Sequence, residues 1–254
     1  RLVTLASPCG HPPGAFGVQT YVIWNTAEGM TRPGQWYLDH AAGKVIYWPL
    51  ADETPETLKV VAPTVEVLLS VKGTKDSPVE DLRVSNLTLS TTDAPLKAAG
   101  FGASAWPGAI ESSYGSGLVL DRVEVTHAGG YAIRDWASAG LLVRDCWLHH
   151  VGGGGIRLQQ GRVEGCRIHD IGLLCASSIG LMGGGKESVI RRNIIHDVPY
   201  SGMCVGGTGT IIEENLLYRC MQQLHDGAAI YMSGGTGNII RRNVVRDIEE
   251  VGSG

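Results

Sequence analysis

The sequence predicts an all-β solenoid, because one short phrase of alternating apolar and polar residues recurs at intervals of 20 to 28 residues. Copies of the phrase begin at Val123, Cys146, Cys166, Asn193, Asn215 and Asn243. Two more short apolar clusters follow each copy, and glycine or asparagine separates them. Three β-type segments per period, without the roughly 3.6-residue periodicity of a helix, indicate one triangular coil. A right-handed parallel β-helix of about seven coils is therefore the predicted fold.

Stacking of the coils places equivalent residues in columns with a spacing of about 4.8 Å along the solenoid axis. Asn193, Asn215 and Asn243 begin three copies of the phrase, so we expect their amides to hydrogen-bond from coil to coil at a bend. Cys146 and Cys166 fall at matched inward positions, and the six cysteines lack the spacing of a zinc site or a disulfide scaffold. Buried free thiols are the favoured interpretation, and one bridge between stacked coils is the alternative.

Residues 1–75 do not carry the repeat and are predicted to form a small N-terminal β cap. Alternating apolar residues in Arg32–Asp39 and Gly43–Pro49 indicate a β-hairpin. A further strand is predicted in Pro63–Val71. Together these strands are expected to cover the open N-terminal end of the solenoid.

Residues 76–254 are predicted to form the β-helix itself. Val79–Leu89 indicates an early coil, but the next copy of the phrase is delayed. Residues 90–116 contain Pro95, Trp106, Pro107 and many small residues, and are predicted to be a loop insertion that leaves one coil. Such an insertion either walls a binding groove or is an ordinary surface loop, and the sequence leaves both open.

The composition excludes several classes of partner. A net charge of −4 over 254 residues argues against nucleic acid and against an anionic membrane surface. No apolar run approaches the length of a membrane span. Arg1 stands first, without a methionine or a signal sequence, so we expect a processed or excised part of a longer protein.

The apolar cluster after each phrase offers a candidate binding surface on its outward side. If its apolar residues point inward, the residues that follow them point outward. Those residues are Arg134, Arg157, Gly180, Cys204 and Tyr231, and two positions further lie Trp136, Gln159, Met182, Gly206 and Ser233. Aromatic rings stack on pyranose rings, while arginine and glutamine bond sugar hydroxyls. This face is therefore a candidate polysaccharide groove, and an ordinary solvated face is the alternative.

Three parts of the chain resemble the parallel β-helix proteins of polysaccharide breakdown: Pro33–Asp39 with Tyr47–Pro49, His127–Ile133 and Asp226–Tyr231. The chain is similar to enzymes such as those of glycoside hydrolase families 141 and 120. It also resembles the β-helix xylan-binding module, carbohydrate-binding module family 89. The resemblance implies a secreted, extracellular protein of plant cell-wall degradation. Those enzymes are much longer than this chain, and late coils contribute their two carboxylates.

Asp226 matches the late-coil acid of the enzyme pattern, and we count the preceding His225 among the candidate sugar-binding residues. Glycoside hydrolysis needs two carboxyl groups, about 5 Å apart for retention or roughly 6.5 to 9.5 Å apart for inversion. The second acid of the pattern would follow Gly254, so Glu249 and Glu250 are the only late acids that could replace it. This missing partner argues against catalysis within these residues. A turn cap before Gly227 is the structural alternative for Asp226.

No metal or other cofactor is predicted. His149, His169 and His196 form a column, but they lack the spacing of a tetrahedral site, and hydrogen-bonded imidazoles are the favoured interpretation. Calcium would need clustered outward carboxylates, for which the neighbourhood of Asp170 and Asp197 is the single candidate.

Three functional readings follow from these residues. The favoured reading is a polysaccharide-binding domain for xylan or a related plant cell-wall glycan, tethered to the catalytic domain of a larger enzyme. The second is a glycoside hydrolase in which Asp226 is one catalytic acid and Glu250 is the candidate partner. The third is a lyase for acidic polysaccharide, with Arg134 or Arg157 as base beside a calcium ion.

Overall fold

The computed structural model describes residues 23–95 and 97–248. The chain divides into two compact units, Arg1–Val60 and Val61–Gly254. Within the described residues, no helix is long and apolar enough to cross a membrane. The described residues of both units contain strands, and the helices described are two short 3₁₀ turns, Ala27–Gly29 and Phe101–Ala103.

The first unit contains an antiparallel hairpin with strands Trp36–Asp39 and Lys44–Tyr47. The Asp39 carboxylate accepts hydrogen bonds of 3.0 Å from the backbone N–H groups of Ala41 and Ala42. These bonds fix the turn, because a side-chain acceptor satisfies donors that the loop would otherwise leave open. The predicted hairpin is confirmed.

The second unit is built from three parallel sheets of seven strands each. Sheet 1 contains Leu69–Lys72, Gly108–Ser113, Tyr131–Trp136, Ile156–Arg157, Leu181–Lys186, Met203–Thr208 and Ile230–Met232. Sheet 2 contains Arg83–Ser85, Val119–Asp121, Leu141–Arg144, Gly161–Glu164, Val189–Arg191, Ile211–Glu213 and Ile239–Arg241. Sheet 3 contains Thr88–Ser90, Glu124–Thr126, Trp147–Val151, Arg167–Ile171, Ile194–His196, Leu216–Tyr218 and Val244–Arg246. Val79–Glu80 pairs separately with Gly115–Ser116. The chain visits the sheets in the order 1, 2, 3 in successive coils, as a parallel solenoid requires. The predicted right-handed parallel β-helix is confirmed.

The core lies inside the triangle of sheets and consists of columns of aliphatic side chains. Each sheet contributes at least one inward residue per coil to these columns at equivalent positions. The columns include Ile110, Ile133, Ile156, Leu181 and Met203 in sheet 1, Val143, Val163, Ile190 and Ile212 in sheet 2, and Val125, Leu148, Ile168, Ile195 and Leu217 in sheet 3. Each of these side chains is at most 1% exposed, so the periodic apolar clusters of the sequence are the solenoid core.

Two predicted boundaries differ from the structure. Strand Leu69–Lys72 pairs with Gly108–Ser113 in sheet 1, so the solenoid begins before the predicted boundary at residue 76. Gly108–Ser113 lies inside the predicted loop insertion of residues 90–116, and the connection between strands therefore spans residues 91–107. Both differences have one cause. The long connection separates Gly108–Ser113 from the recurring phrase, so the register of this strand is visible only in its pairing with Tyr131–Trp136.

The predicted asparagine ladder is confirmed, and two of its three members, Asn193 and Asn215, are buried. Asn193 Nδ2 donates to Asn215 Oδ1 at 3.0 Å, and Asn215 Nδ2 donates to Asn243 Oδ1 at 2.9 Å. Asn215 Nδ2 also donates to the carbonyl of Ile190, while Asn215 Oδ1 accepts the backbone N–H of Asn193. Each amide therefore satisfies backbone groups at the bend as well as its neighbour in the ladder.

The cysteines Cys146, Cys166, Cys175, Cys204 and Cys220 are free, and all but Cys175 are buried. The Cys146 thiol donates to the carbonyls of Arg144 and Leu120, and burial raises the pKa of the Cys166 thiol well above its usual value. Such thiols act as small apolar core residues, which agrees with the favoured interpretation of the sequence.

Candidate functional site

The outward side of sheet 1 carries two columns of side chains. Strand pairing aligns the first column as Glu111, Arg134, Arg157, Met182, Cys204 and Tyr231. Met182 takes the place predicted for Gly180, because Arg157 pairs with Met182 while Gly180 lies at the preceding corner. The second column contains Trp136, Gln159, Gly184, Gly206 and Ser233 in successive coils. Sheet 1 therefore brings together the predicted residues Arg134, Trp136, Arg157 and Gln159, with Tyr231 further along.

A groove of about 310 Å³ lies on this face. Its lining includes Trp136, Arg157, Gln159, Met182 and the 3₁₀-turn residue Phe101. A second hollow of about 190 Å³ adjoins it and contains Lys72, Glu111 and Arg134. Trp136 lines both hollows and is 56% exposed, so its indole forms an open platform between them.

The connection at residues 97–107 forms a wall of the groove. The Tyr131 hydroxyl donates to the carbonyl of Gly102, and Tyr131 packs in a buried cluster with Ala103 and Trp106. Gly102 has a φ of 59°, and a Cβ there would lie 3.1 Å from the Met182 sulfur. Glycine therefore permits both the left-handed turn and the close approach to sheet 1. Phe101 of this connection lines the larger hollow, so the connection borders the groove there.

Glu111 and Arg134 form an ion pair beside Trp136. Arg134 Nη1 lies 3.1 Å from Glu111 Oε1, which also accepts the backbone N–H of Gly108 at 3.2 Å. Gln159, which lines the larger hollow, uses its Oε1 to accept the N–H of Ala137 at 2.9 Å. The pair fixes Arg134, and the amide bond fixes Gln159, so the groove is built from restrained polar groups.

Arg157 is held differently. Its Nη1 donates to the carbonyl of Ser104 at 2.8 Å, and this bond ties sheet 1 to the wall. Among the described residues, no carboxylate lies within ion-pair distance of Arg157.

His225 and Asp226 are exposed and lie outside the two hollows, in the connection that leads to the last strand of sheet 1. The Tyr200 hydroxyl donates to the carbonyl of Asp226 at 3.3 Å, and burial together with this aspartate raises the pKa of Tyr200 to about 12. The Tyr200 ring meets Phe101 edge to face at a centroid distance of 6.1 Å. Asp226 is thus linked through Tyr200 to the wall. Glu250 lies outside the described residues.

Asp135 is a buried acid that the sequence reasoning did not single out. It lies between Arg134 and Trp136 but points inward, is 2% exposed, and accepts a 2.5 Å hydrogen bond from the Ser112 hydroxyl at Oδ1. Asp135 Oδ2 has no partner among the described residues, and burial raises the pKa of the carboxyl. The signal was present in the sequence, because strand alternation from the inward Ile133 places residue 135 inside as well.

Asp135→Asn is expected to make the protein more stable at neutral pH. The folded-state pKa of Asp135 is raised, so its contribution to stability is fully present below the unfolded pKa and is lost as pH rises through the folded pKa. An amide carries no charge to bury and can still accept from Ser112. Urea unfolding should show a gain at neutral pH that disappears near about pH 3. The exposed Asp76→Asn is the control, and a gain of equal size at both pH values would contradict this reasoning.

The histidine column lies on the outward side of sheet 3. The rings of His149, His169, His196 and Tyr218 stack, with successive centroids 5.4, 4.6 and 4.5 Å apart. Asp170 and Asp197 each accept from the neighbouring histidine, and Asp197 also binds Arg219, which lowers the pKa of Asp197 to about 2. The described residues hold no group of three ligands arranged for a metal ion. The two candidate calcium carboxylates are thus engaged by cationic or imidazole partners.

The fold and the face of sheet 1 define a right-handed parallel β-helix with a walled groove on one sheet. A family model described as "Right handed beta helix region" matches residues 131–254. A solved structure described as "Glycoside hydrolase" is similar with a TM-score of 0.77 at 20% identity, covering 89% of this chain and 49% of that one. A second, "The complex structure of XylC with xylose", is similar with a TM-score of 0.55 at 12% identity, covering 87% of this chain and 48% of that one. A search of curated proteins gave no significant match.

These similarities concern the fold. The chain spans about half the length of each of the two solved structures. At such low identity, likeness of fold does not transfer an activity, so function has to rest on the groove itself.

Proposed function

We propose that this chain is a polysaccharide-binding β-helix domain of a larger, secreted carbohydrate-active enzyme. Its ligand in this proposal is xylan or a related plant cell-wall glycan, held in the groove of sheet 1. The observation that carries the proposal is the exposed Trp136 platform between restrained polar side chains and the Phe101 wall. Sugars present apolar ring faces and equatorial hydroxyls, which aromatic rings and amide or guanidinium groups recognise together.

The spacing of two aromatic residues along the solenoid axis fits an extended ligand. Trp136 and Tyr231 stand in sheet 1 four coils apart, which corresponds to about 19 Å at the spacing of parallel strands. Gly184 and Gly206 lie between them in the second column and keep the floor flat. A linear glycan can therefore lie along the axis and contact an aromatic ring near each end. Tyr231 is 45% exposed, as such a contact requires.

The alternative is a glycoside hydrolase of the β-helix type in which Asp226 is one catalytic acid. The contact of Asp226 with Tyr200, next to the wall of the groove, favours this reading, as does the likeness to a protein described as a glycoside hydrolase. The acids of the groove itself do not form a catalytic pair, because Glu111 is bound to Arg134, and Asp135, although it lines the larger hollow, is 2% exposed and bonded to Ser112. Hydrolysis by two carboxyl groups would therefore need a partner for Asp226 from outside the described groove. No cofactor belongs to either proposal.

The experiment combines retention on insoluble xylan with measurement of released reducing sugar, for the unchanged chain and for Asp226→Asn. The binding proposal expects retention, no released sugar, and equal retention of Asp226→Asn. Sugar release that Asp226→Asn abolishes would replace the binding proposal with the hydrolase. Failure of both proteins to bind xylan, pectin and glucans would refute the groove as a glycan site.

A further inference from the structure

The arginines of the solenoid are almost all neutralised by acids. Those with a carboxylate within 4.0 Å are Arg83, Arg122, Arg134, Arg144, Arg162, Arg191, Arg192, Arg219, Arg241, Arg242 and Arg246. Across residues 61–95 and 97–248, the two arginines without such a partner are Arg157 and Arg167. Arg167 stands on the open outward side of sheet 3, whereas Arg157 lines the groove. The groove therefore contains an arginine with no carboxylate within 4.0 Å among the described residues; Asp135 lines the same hollow, but it is 2% exposed and bonded to Ser112.

Arg157 is also oriented. The Ser104 carbonyl accepts one N–H of Nη1, which restrains the guanidinium beside the wall. The remaining N–H groups of this planar fork have no hydrogen-bond partner among the described side chains and carbonyls. A guanidinium in this state matches a carboxylate, since two parallel N–H donors meet two oxygens.

The surroundings add to the preference for an anion. Arg134, one coil away, is balanced by Glu111, and the adjoining hollow contains Lys72. Arg157 is partly buried, so its attraction for an anion is screened less than that of a fully exposed arginine. Neutral hydroxyls would leave this charge uncompensated.

Resting on the proposed function, we propose that the groove is specific for an acidic glycan and that Arg157 binds the carboxylate of a uronic acid unit. Gln159 and Trp136 hold the adjoining neutral part of the ligand. The uronic acid can stand on a side branch, as in glucuronoxylan, or in the main chain, as in a galacturonan. The chemistry of recognition is the same for both.

The test compares each acidic oligosaccharide with its own carboxyl-reduced form by isothermal titration calorimetry. One arm uses glucuronoxylan oligosaccharides and the other uses oligogalacturonides, so the arms distinguish the two sources. Arg157→Gln removes the charge, Arg157→Lys keeps the charge but loses the fork, and Arg167→Gln is the matched control on sheet 3. Thermal melting of each variant checks that the fold is intact.

In at least one arm, the unchanged chain should bind the acidic form about tenfold or more tightly than the reduced form. Arg157→Gln should abolish this preference, so that the acidic and reduced forms bind with equal affinity, Arg157→Lys should retain part of it, and Arg167→Gln should leave both the preference and the binding of the reduced form intact. Added salt should weaken binding of the acidic form only. Equal affinity for both forms in both arms, or a preference that survives in Arg157→Gln, would overturn the acidic-glycan inference while leaving the groove as a glycan site. Loss of binding to the reduced form in Arg157→Gln would overturn the assignment of Arg157 to the carboxylate, and would show instead that Arg157 holds the wall in place.

Discussion

Trp136→Ala is expected to weaken binding of xylohexaose by about 30-fold or more, which corresponds to about 2 kcal/mol. The indole is exposed, lines both hollows of the groove, and is the largest apolar surface available to a sugar ring there. Alanine removes that stacking surface but leaves the inward side of the strand unchanged. Isothermal titration calorimetry measures the change in affinity directly.

Trp147→Ala is the matched control for this prediction. Trp147 is also exposed, but it lies on sheet 3, where its ring stacks on His149 and its Nε1 donates to His169 at 2.7 Å. Its removal should leave xylohexaose affinity unchanged. Loss of binding in Trp147→Ala with full binding in Trp136→Ala would move the glycan site from sheet 1 to sheet 3.

Asn215→Leu is expected to lower the free energy of unfolding by about 3 kcal/mol or more. Asn215 is 1% exposed, and its amide bonds two other asparagines of the ladder and the carbonyl of Ile190. Leucine has a similar size but no polar atoms, so the buried N–H of Asn193 and the Ile190 carbonyl lose their partners. Urea denaturation, followed by circular dichroism, gives the loss as a shift of the unfolding midpoint.

Asn238→Leu provides the comparison for the ladder. Asn238 also accepts a backbone N–H, that of Thr210 at 3.0 Å, but it is partly exposed, so water can replace the lost bonds. Its effect should be clearly smaller than that of Asn215→Leu. Equal losses for the two variants would show that the ladder adds nothing beyond an ordinary side-chain hydrogen bond.

The stabilising parts and the candidate functional parts of this solenoid are spatially separate. The aliphatic columns and the asparagine ladder recur from coil to coil and face inward or line a bend. The groove depends on residues that break the recurrence: Trp136, Arg157 and the connection at residues 91–107. Substitution of Trp136, which is 56% exposed on the outward side of sheet 1, should therefore change binding with little change in stability, because it removes no core contact.

The fold could be predicted from the sequence because each coil repeats the same alternation. A wrong strand assignment in one coil is therefore corrected by the pattern of the neighbouring coils. The inward columns through Ile133 and Ile156 and the ladder from Asn193 to Asn243 followed from spacing alone. The fifth strand of sheet 1, Leu181–Lys186, shows the limit. Gly180 was placed where Met182 stands, since a strand rich in glycine gives little sign of its register.

The site was accessible only in part. Strand alternation predicted which residues of sheet 1 face outward. The same alternation implies that Asp135 faces inward, but the sequence analysis did not single out this residue. The wall could not be predicted from the sequence. The hydrogen bonds that hold it, from Tyr131 to Gly102 and from Arg157 to Ser104, join residues that are 29 and 53 positions apart in the chain. The ion pair of Glu111 with Arg134 was hidden for the same reason, since Glu111 lay in a segment predicted to be loop.

By itself the sequence determined the solenoid, the inward core and the outward face that carries Trp136, Arg157 and Tyr231. These follow from periodicity, which is a local property of the chain. Only the tertiary structure decided that Phe101 closes one side of that face and that Glu111 balances Arg134 while Arg157 has no acid beside it. Charge balance and enclosure depend on distances between coils and connections, and such distances exist only after the coils have stacked.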